Sequence, residues 1–158
     1  MTQLAKTENS DLHVALEEGE AAVLRGLLAE MSVLLGENVS GSDPVIARLF
    51  PKAYENETEQ RSYEGLIADE LRQGKAAALQ AVREKLGEGG PVNVVVPGPE
   101  IDAWLTVLTD LRLAIGMRLD VTEERMNEEF DPSDPDADAL SVLHWLGWIQ
   151  HRIIEEIT

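Results

Sequence analysis

The segment LTDLRLAIGMRL, residues 108–119, carries an aspartate and two arginines through a stretch that is otherwise apolar. Asp110, Arg112 and Arg118 are the side chains whose types and spacing could do chemistry together, because paired guanidinium groups can hold a carboxylate or a phosphate. On a helix, Asp110 and Arg118 share a side, whereas Asp110 and Arg112 stand too close in sequence to face each other. Arg112 lies beside the apolar stripe, and Gly116 leaves room for another backbone to approach. An unpaired buried guanidinium is costly, so Arg112 requires a carboxylate or several carbonyl oxygens as its partner. Asp110, Asp102 and an acid of another helix are the candidates. Two uses are open: a polar clamp that holds helix register while the arginine stem packs on its neighbours, or an anion-binding site. No activated nucleophile or acid–base pair accompanies the group, so no catalytic residue is assigned and no enzyme is expected.

Other chemically suggestive stretches lead nowhere specific. In DPSDPDADAL, counting from Asp134 places acids at calcium-loop positions 1, 3 and 5. The glycine expected at position 6 is Ala139 and the glutamate expected at position 12 is Trp145, which excludes an EF-hand. His144 and His151 are seven apart, with Glu155 one turn beyond, but there are 3 histidines in all and no metal-ligand cluster. GEGGPVNVVVPGPE has glycines without the lysine of a phosphate loop and reads as a connector. With 0 cysteines, thiolate catalysis, thiolate metal sites and disulfides are impossible. No metal and no cofactor are expected.

The elements that must position these residues are helical. At 158 residues and 44% hydrophobic content, the chain suits one domain with one core. The fold class expected is mainly α, a compact bundle of about four to six helices with room for one short strand or hairpin. Residues 1–12 read as loose, although Leu12, Val14 and Leu16 alternate as in a strand. Ala21, Leu24, Leu28, Met31 and Leu35 recur at steps of three and four, giving a helix over about Glu17–Leu35. Asp43-Pro44 starts a short helix over Val45–Phe50. A longer one opens at Asn56 with Glu59 three places on and runs to Leu86, with a bend or break open at Gly74. Val94–Val96 reads as a short strand or a surface loop. Pro99 and Glu100 open the central helix, whose core face takes Ile101, Trp104, Leu108, Leu111 and Ile115. A short helix follows over Glu123–Glu129, then an acidic linker at 131–138. The last helix starts at Asp134-Pro135 and runs to about Ile157. It is apolar on more than one side, as for a helix central to a bundle or lying at a subunit contact.

With 13 basic and 30 acidic residues, the chain has a formal charge of −17. Such a charge repels phosphate backbones, and no basic recognition helix is present, so nucleic acid is excluded as a partner. No run is long enough to span a membrane. MTQLAKTENSDL lacks the basic-then-apolar order of an export signal, and the absence of cysteine fits a reducing compartment, so a cytoplasmic location is expected. Three stretches are candidate contacts for a protein partner, including a basic one: the acidic segment 120–139, the RLFPKAY block with Arg48 and Tyr54, and the last helix with Trp145, Trp148 and His151. A homodimer is the other expectation.

Three blocks carry a resemblance: DPVIARLFPKAYENE at 43–57, AWLTVLTDLRLAIGMRLDVTEE at 103–124 and LHWLGWIQHRIIEEI at 143–157. On these the chain resembles an uncharacterised actinobacterial domain-of-unknown-function family often encoded beside the Clp protease adaptor ClpS. The resemblance emphasises Arg48, Leu49, Pro51, Ala53 and Tyr54, then Trp104, Asp110, Arg112, Leu113, Gly116 and Arg118, then Trp145 and Leu146. It implies no activity, only a setting near regulated proteolysis. The function expected is a non-enzymatic regulatory or protein-binding module. The alternatives are a small-ligand or enzymatic site around Arg112 and Arg118, and a purely structural homodimer.

Overall fold

The computed structural model describes residues 1–35, 69–119 and 133–158. The short helices expected at 45–50 and 123–129, the Asn56 start of the second long helix, and residues 131–132 of the acidic linker lie outside the described residues.

Three strands form one antiparallel sheet in the order β1–β2–β3: β1 is Gln3–Lys6, β2 Leu12–Leu16 and β3 Val92–Val96. The register aligns Leu4 with Val14 and Val14 with Val94, and it aligns Leu12 with Val96 and Leu16 with Val92. Because strand side chains alternate, that register puts every one of these residues on one face, against the core. His13, Asn93 and Val95 stand on the other face. The expectation of a loose N-terminus over residues 1–12 is therefore corrected. Leu4 is buried, and a tight turn returns β1 to β2, with Thr7 N–H donating to Asp11 O (2.8 Å) and Ser10 in the left-handed region (φ 65°). One short strand or hairpin becomes three strands, since β3 joins from a distant part of the chain. A single apolar strand segment has no local periodicity that reveals such a partner.

Helix α1, Glu18–Leu34, buries Ala21, Leu24, Leu28, Met31 and Leu34, and at its start Glu17 N–H donates to Glu20 Oε1 at 3.0 Å. Helix α2, Asp69–Leu86, passes through Gly74 without a break and buries Leu79, Val82 and Leu86. Its end is set by Gly87 and Gly90, both at positive φ (68° and 76°), a conformation that costs glycine little. After β3, a 3-10 turn at Gly98–Glu100 leads into α3, Ile101–Arg118. Gly98 N–H donates to Asp11 Oδ1 (2.9 Å), and a Cβ at Gly98 would lie 3.3 Å from Ser10 O, so a side chain there would crowd the β1–β2 turn. Helix α4, Ala137–Ile157, starts just after the Asp134-Pro135 pair expected to open it.

The four helices among the described residues share one core with the sheet. α3 packs against α2, α4 and α1, while α4 packs against α3 and β1. The last helix, apolar on more than one side, is thus not the central one. α4 buries Leu143, Leu146, Ile149 and Ile153 but leaves Trp148, Ile154 and Ile157 exposed. Its second apolar side faces outward. α3 is central because its buried face, with Ile101, Trp104, Val107, Leu108, Leu111 and Ala114, is wide enough to meet neighbours on both flanks. Each such fully buried large side chain contributes on the order of 2 kcal/mol of transfer free energy.

Candidate functional site

The charged residues of α3 part company in three dimensions. Asp110 is buried, and both its oxygens accept from Lys75 Nζ of α2, at 2.8 and 3.0 Å. Lys75 shares its side of α2 with Leu79, Val82 and Leu86, because steps of four, seven and eleven residues return to one face. This pair joins α2 to α3 as a bidentate ion pair. A lysine on an apolar stripe was readable in DELRQGKAAALQAV as the same signal as Arg112, and sequence reasoning passed over it.

Arg112 points the other way, towards α4. Its Nη1 donates to Gln150 Oε1 at 2.9 Å, and Gln150 Nε2 donates in turn to Thr109 Oγ1 (2.5 Å) and Leu105 O (3.4 Å). The guanidinium lies against Gly147, where an added Cβ would stand 3.4 Å from Arg112 Cζ. Arg112 Nε is buried without a hydrogen-bond partner. The expectation of a carboxylate or several carbonyls is corrected: the partner is a neutral amide. The glycine makes the contact feasible, since the flat guanidinium can lie on the α4 backbone with its outer nitrogen still near solvent. Arg118 is exposed and lines, with Glu30, a hollow of about 40 Å³ between α1 and α3. Asp110, Arg112 and Arg118 therefore do not converge.

Of the remaining candidates, Arg48 and Tyr54 lie outside the described residues. Trp148 is 41% exposed on the outer side of α4. His151, also exposed, places Nε2 2.7 Å from Glu155 Oε1, one turn along the helix. Among the described residues, no three His, Cys, Asp or Glu side chains are grouped to hold a metal ion, and no helix is long and apolar enough to cross a membrane.

Trp145 belongs to a different assembly. Its indole Nε1–H donates to Thr2 Oγ1 at 3.0 Å, and Thr2 donates to Glu20 Oε2 at 2.5 Å. Thr2 is buried just ahead of β1, so this relay ties the sheet margin to α1 and α4 at once. Burial by itself would raise the Glu20 carboxyl. The hydrogen bonds from the Thr2 hydroxyl and the Glu17 N–H, with the nearby Met1 ammonium, outweigh it and hold Glu20 below its ordinary value of 4.5. Beside the relay, Gly19, Glu20, Val23, Ser141, Val142 and Trp145 wall an open groove of about 320 Å³ between α1 and α4.

Arg25 forms a second structure that the sequence did not announce. Its guanidinium donates to four carbonyls at the end of α2 and in the loop after it: Leu86 (2.6 Å), Gly90 (2.8 Å), Gly87 and Gly89 (both 3.1 Å). Helix C-terminal carbonyls lack intrahelical donors, and a cation there complements the helix dipole. A larger hollow of about 600 Å³ adjoins it, edged by Arg83, Glu84 and Glu88. Since backbone oxygens already occupy Arg25, that hollow gathers charges of both signs without a converging set.

These observations define a mainly helical domain with a small antiparallel sheet, whose most conspicuous charges join one element to another. The chain belongs to the family described as a domain of unknown function (DUF2017), whose model matches residues 1–157. No curated protein and no solved structure matches it.

Proposed function

We propose that this protein is a non-enzymatic regulatory module that acts by binding another protein. The observation that carries the reading is the fate of the α3 charges. Asp110 is taken by Lys75 and Arg112 by Gln150, so the residues best suited to bind an anion or assist a reaction serve cohesion between helices. The chain as a whole carries a formal charge of −17, and apolar side chains on α4, Trp148 and Ile154 among them, stand exposed. Acidity of that size steers encounters towards basic partners. The setting near regulated proteolysis in actinobacteria, and the cytoplasm as its location, rest on the resemblance and the composition read from the sequence. A small-ligand site at Arg112 and Arg118 has less support. The hollow beside Arg118 holds about 40 Å³, against roughly 300–1,000 Å³ for ordinary ligand pockets.

Recovery of the protein from cells that make it at natural level, with identification of what co-purifies in stoichiometric amount, tests the reading. A defined protein partner is the expected result. Repeated recovery of the protein alone, from cells in which its loss has a phenotype, would contradict it.

A further inference from the structure

We infer that the outer edge of β3 pairs with the same edge of a second copy of this chain, joining the two sheets into one. The two edges of the sheet are not alike. At β1, outward backbone groups are taken by α4: Leu4 O accepts from Arg152 Nη2 (3.3 Å) and Lys6 N–H donates to Glu156 Oε2 (3.1 Å). These bonds fix which residues face which way. Leu4 and Lys6 point away from β2, so Gln3, Ala5 and Thr7 point towards it, as the Thr7 bond to Asp11 O shows. His13 and Ala15 therefore bond to β1, while Leu12, Val14 and Leu16 bond to Val96, Val94 and Val92 of β3. The N–H and C=O of Asn93 and Val95 are left facing outward, and no described residue bonds to them. Such an edge takes another strand, because a strand satisfies alternating donors and acceptors together.

The ends of the strand select the occupant. PVNVVVP sets proline at 91 and 97, the next outward positions on either side, and proline has no N–H to offer. Pro97 O already accepts from Glu100 N–H at 2.8 Å. Pairing is thus confined to Asn93–Val95. A second copy matches that window end to end. Antiparallel about a two-fold axis at Val94, Asn93 pairs with Val95 of the second copy and Val95 with Asn93, using every outward group between the prolines. Proline then stands opposite proline, so no donor is stranded. A longer foreign strand would set its own N–H against the Pro97 carbonyl that Glu100 holds. The side chains agree with this register. On the core face Val92 and Val96 are buried and Val94 only partly so, and the axis sets Val94 against its own copy, where side chains approach closest. Residues 89–99 carry no charge, unlike the β1 edge with Lys6, so the net charge of −17 brings no like pair face to face along the strand.

Sedimentation of the full chain, in salt sufficient to screen its net charge, should show a monomer–dimer equilibrium with dimer present by about 1 mM. In the wild-type chain, amide exchange followed by NMR should slow at Asn93 and Val95 as concentration rises and stay constant at Lys6, whose N–H is already bonded. Val95→Pro removes one outward donor from each copy and no bond to β2, and should weaken dimerisation at least about tenfold. Val95→Thr keeps that donor, and Trp148→Lys changes the outer side of α4; each should stay within about twofold of wild type. A monomer at every concentration up to about 1 mM, a dimer in which the Asn93 and Val95 amides exchange unchanged, or a dimer that Trp148→Lys dissociates would overturn the inference. So would protection of those two amides only by a co-purifying protein, since the occupant would then be a foreign strand. The inference does not depend on the binding-module reading: dimerisation through β3 with nothing co-purifying would support the one and contradict the other.

Discussion

The two flanks of α3 solve the same problem differently. Asp110 and Arg112 are two residues apart, which turns them about 200° from each other around the helix, so the Trp104–Leu108–Leu111 stripe lies between them. On the α2 side, the acid is buried and meets a full opposite charge at 2.8 Å. On the α4 side, the arginine meets an uncharged glutamine and a glycine backbone. The difference follows from solvent. Asp110 has a short stem and cannot reach water, so it needs a cation. Arg112 has a long stem, keeps part of its head near the surface and requires only a hydrogen-bond acceptor. Two polar interruptions in one helix need not form one site.

The largest test is of the stripe between them. Trp104→Ala should cost about 3–5 kcal/mol in denaturant unfolding, through the cavity left by a side chain that is 2% exposed. A loss under about 1 kcal/mol would mean that the polar flanks, and not the stripe, seat the helix. Next comes Asp110→Ala. Removing one partner of a buried pair costs roughly 3–5 kcal/mol, but the Lys75 side chain is 19% exposed and can turn outward, so about 2–3 kcal/mol is expected. Adding Lys75→Met should recover part of it in a double-mutant cycle. Arg112→Met keeps the packed stem and removes one hydrogen bond to a neutral group, for a cost of about 0.5–1.5 kcal/mol. Equal costs for the Asp110 and Arg112 variants would break the comparison.

The smallest effect concerns acid. Glu20 titrates below its ordinary value in the folded chain, so its contribution to stability is fully present above pH 4.5 and is lost as pH falls through the lower folded value. Stability measured against pH should therefore show a component below 4.5 that Glu20→Gln abolishes. An unchanged profile in that variant would mean that the Thr2 relay does not hold the carboxylate in solution.

The helices α1, α3 and α4 were legible nearly to their ends, because apolar residues at steps of three and four can be read along a single segment. The same reading exposed Asp110 and Arg112 as residues out of place on an apolar surface, but it offered α4 as well as α3 for a central place, because composition records how apolar a helix is and not where its neighbours stand. Lys75 carried the equivalent signal and could have been found by it. Thr2, Arg25 and Gln150 could not. A threonine at the start of a chain, an arginine on an amphipathic helix and a glutamine near a helix end are ordinary in sequence and gain meaning only from what is brought to them. Pairing of β1 with β2 and of β2 with β3 was hidden for a related reason, since strand order depends on contacts between distant segments.

Local periodicity, acidity and the absence of cysteine thus settled by sequence alone that the chain would be mainly helical, strongly anionic and held without disulfides. Which charge meets which partner, and where a groove opens beside a tethered tryptophan, only the tertiary structure decided. The physical reason is range: helix propensity and amphipathic spacing act over a few residues, whereas ion pairs, carbonyl clamps and clefts form between groups whose separation along the chain bears no relation to their distance in space.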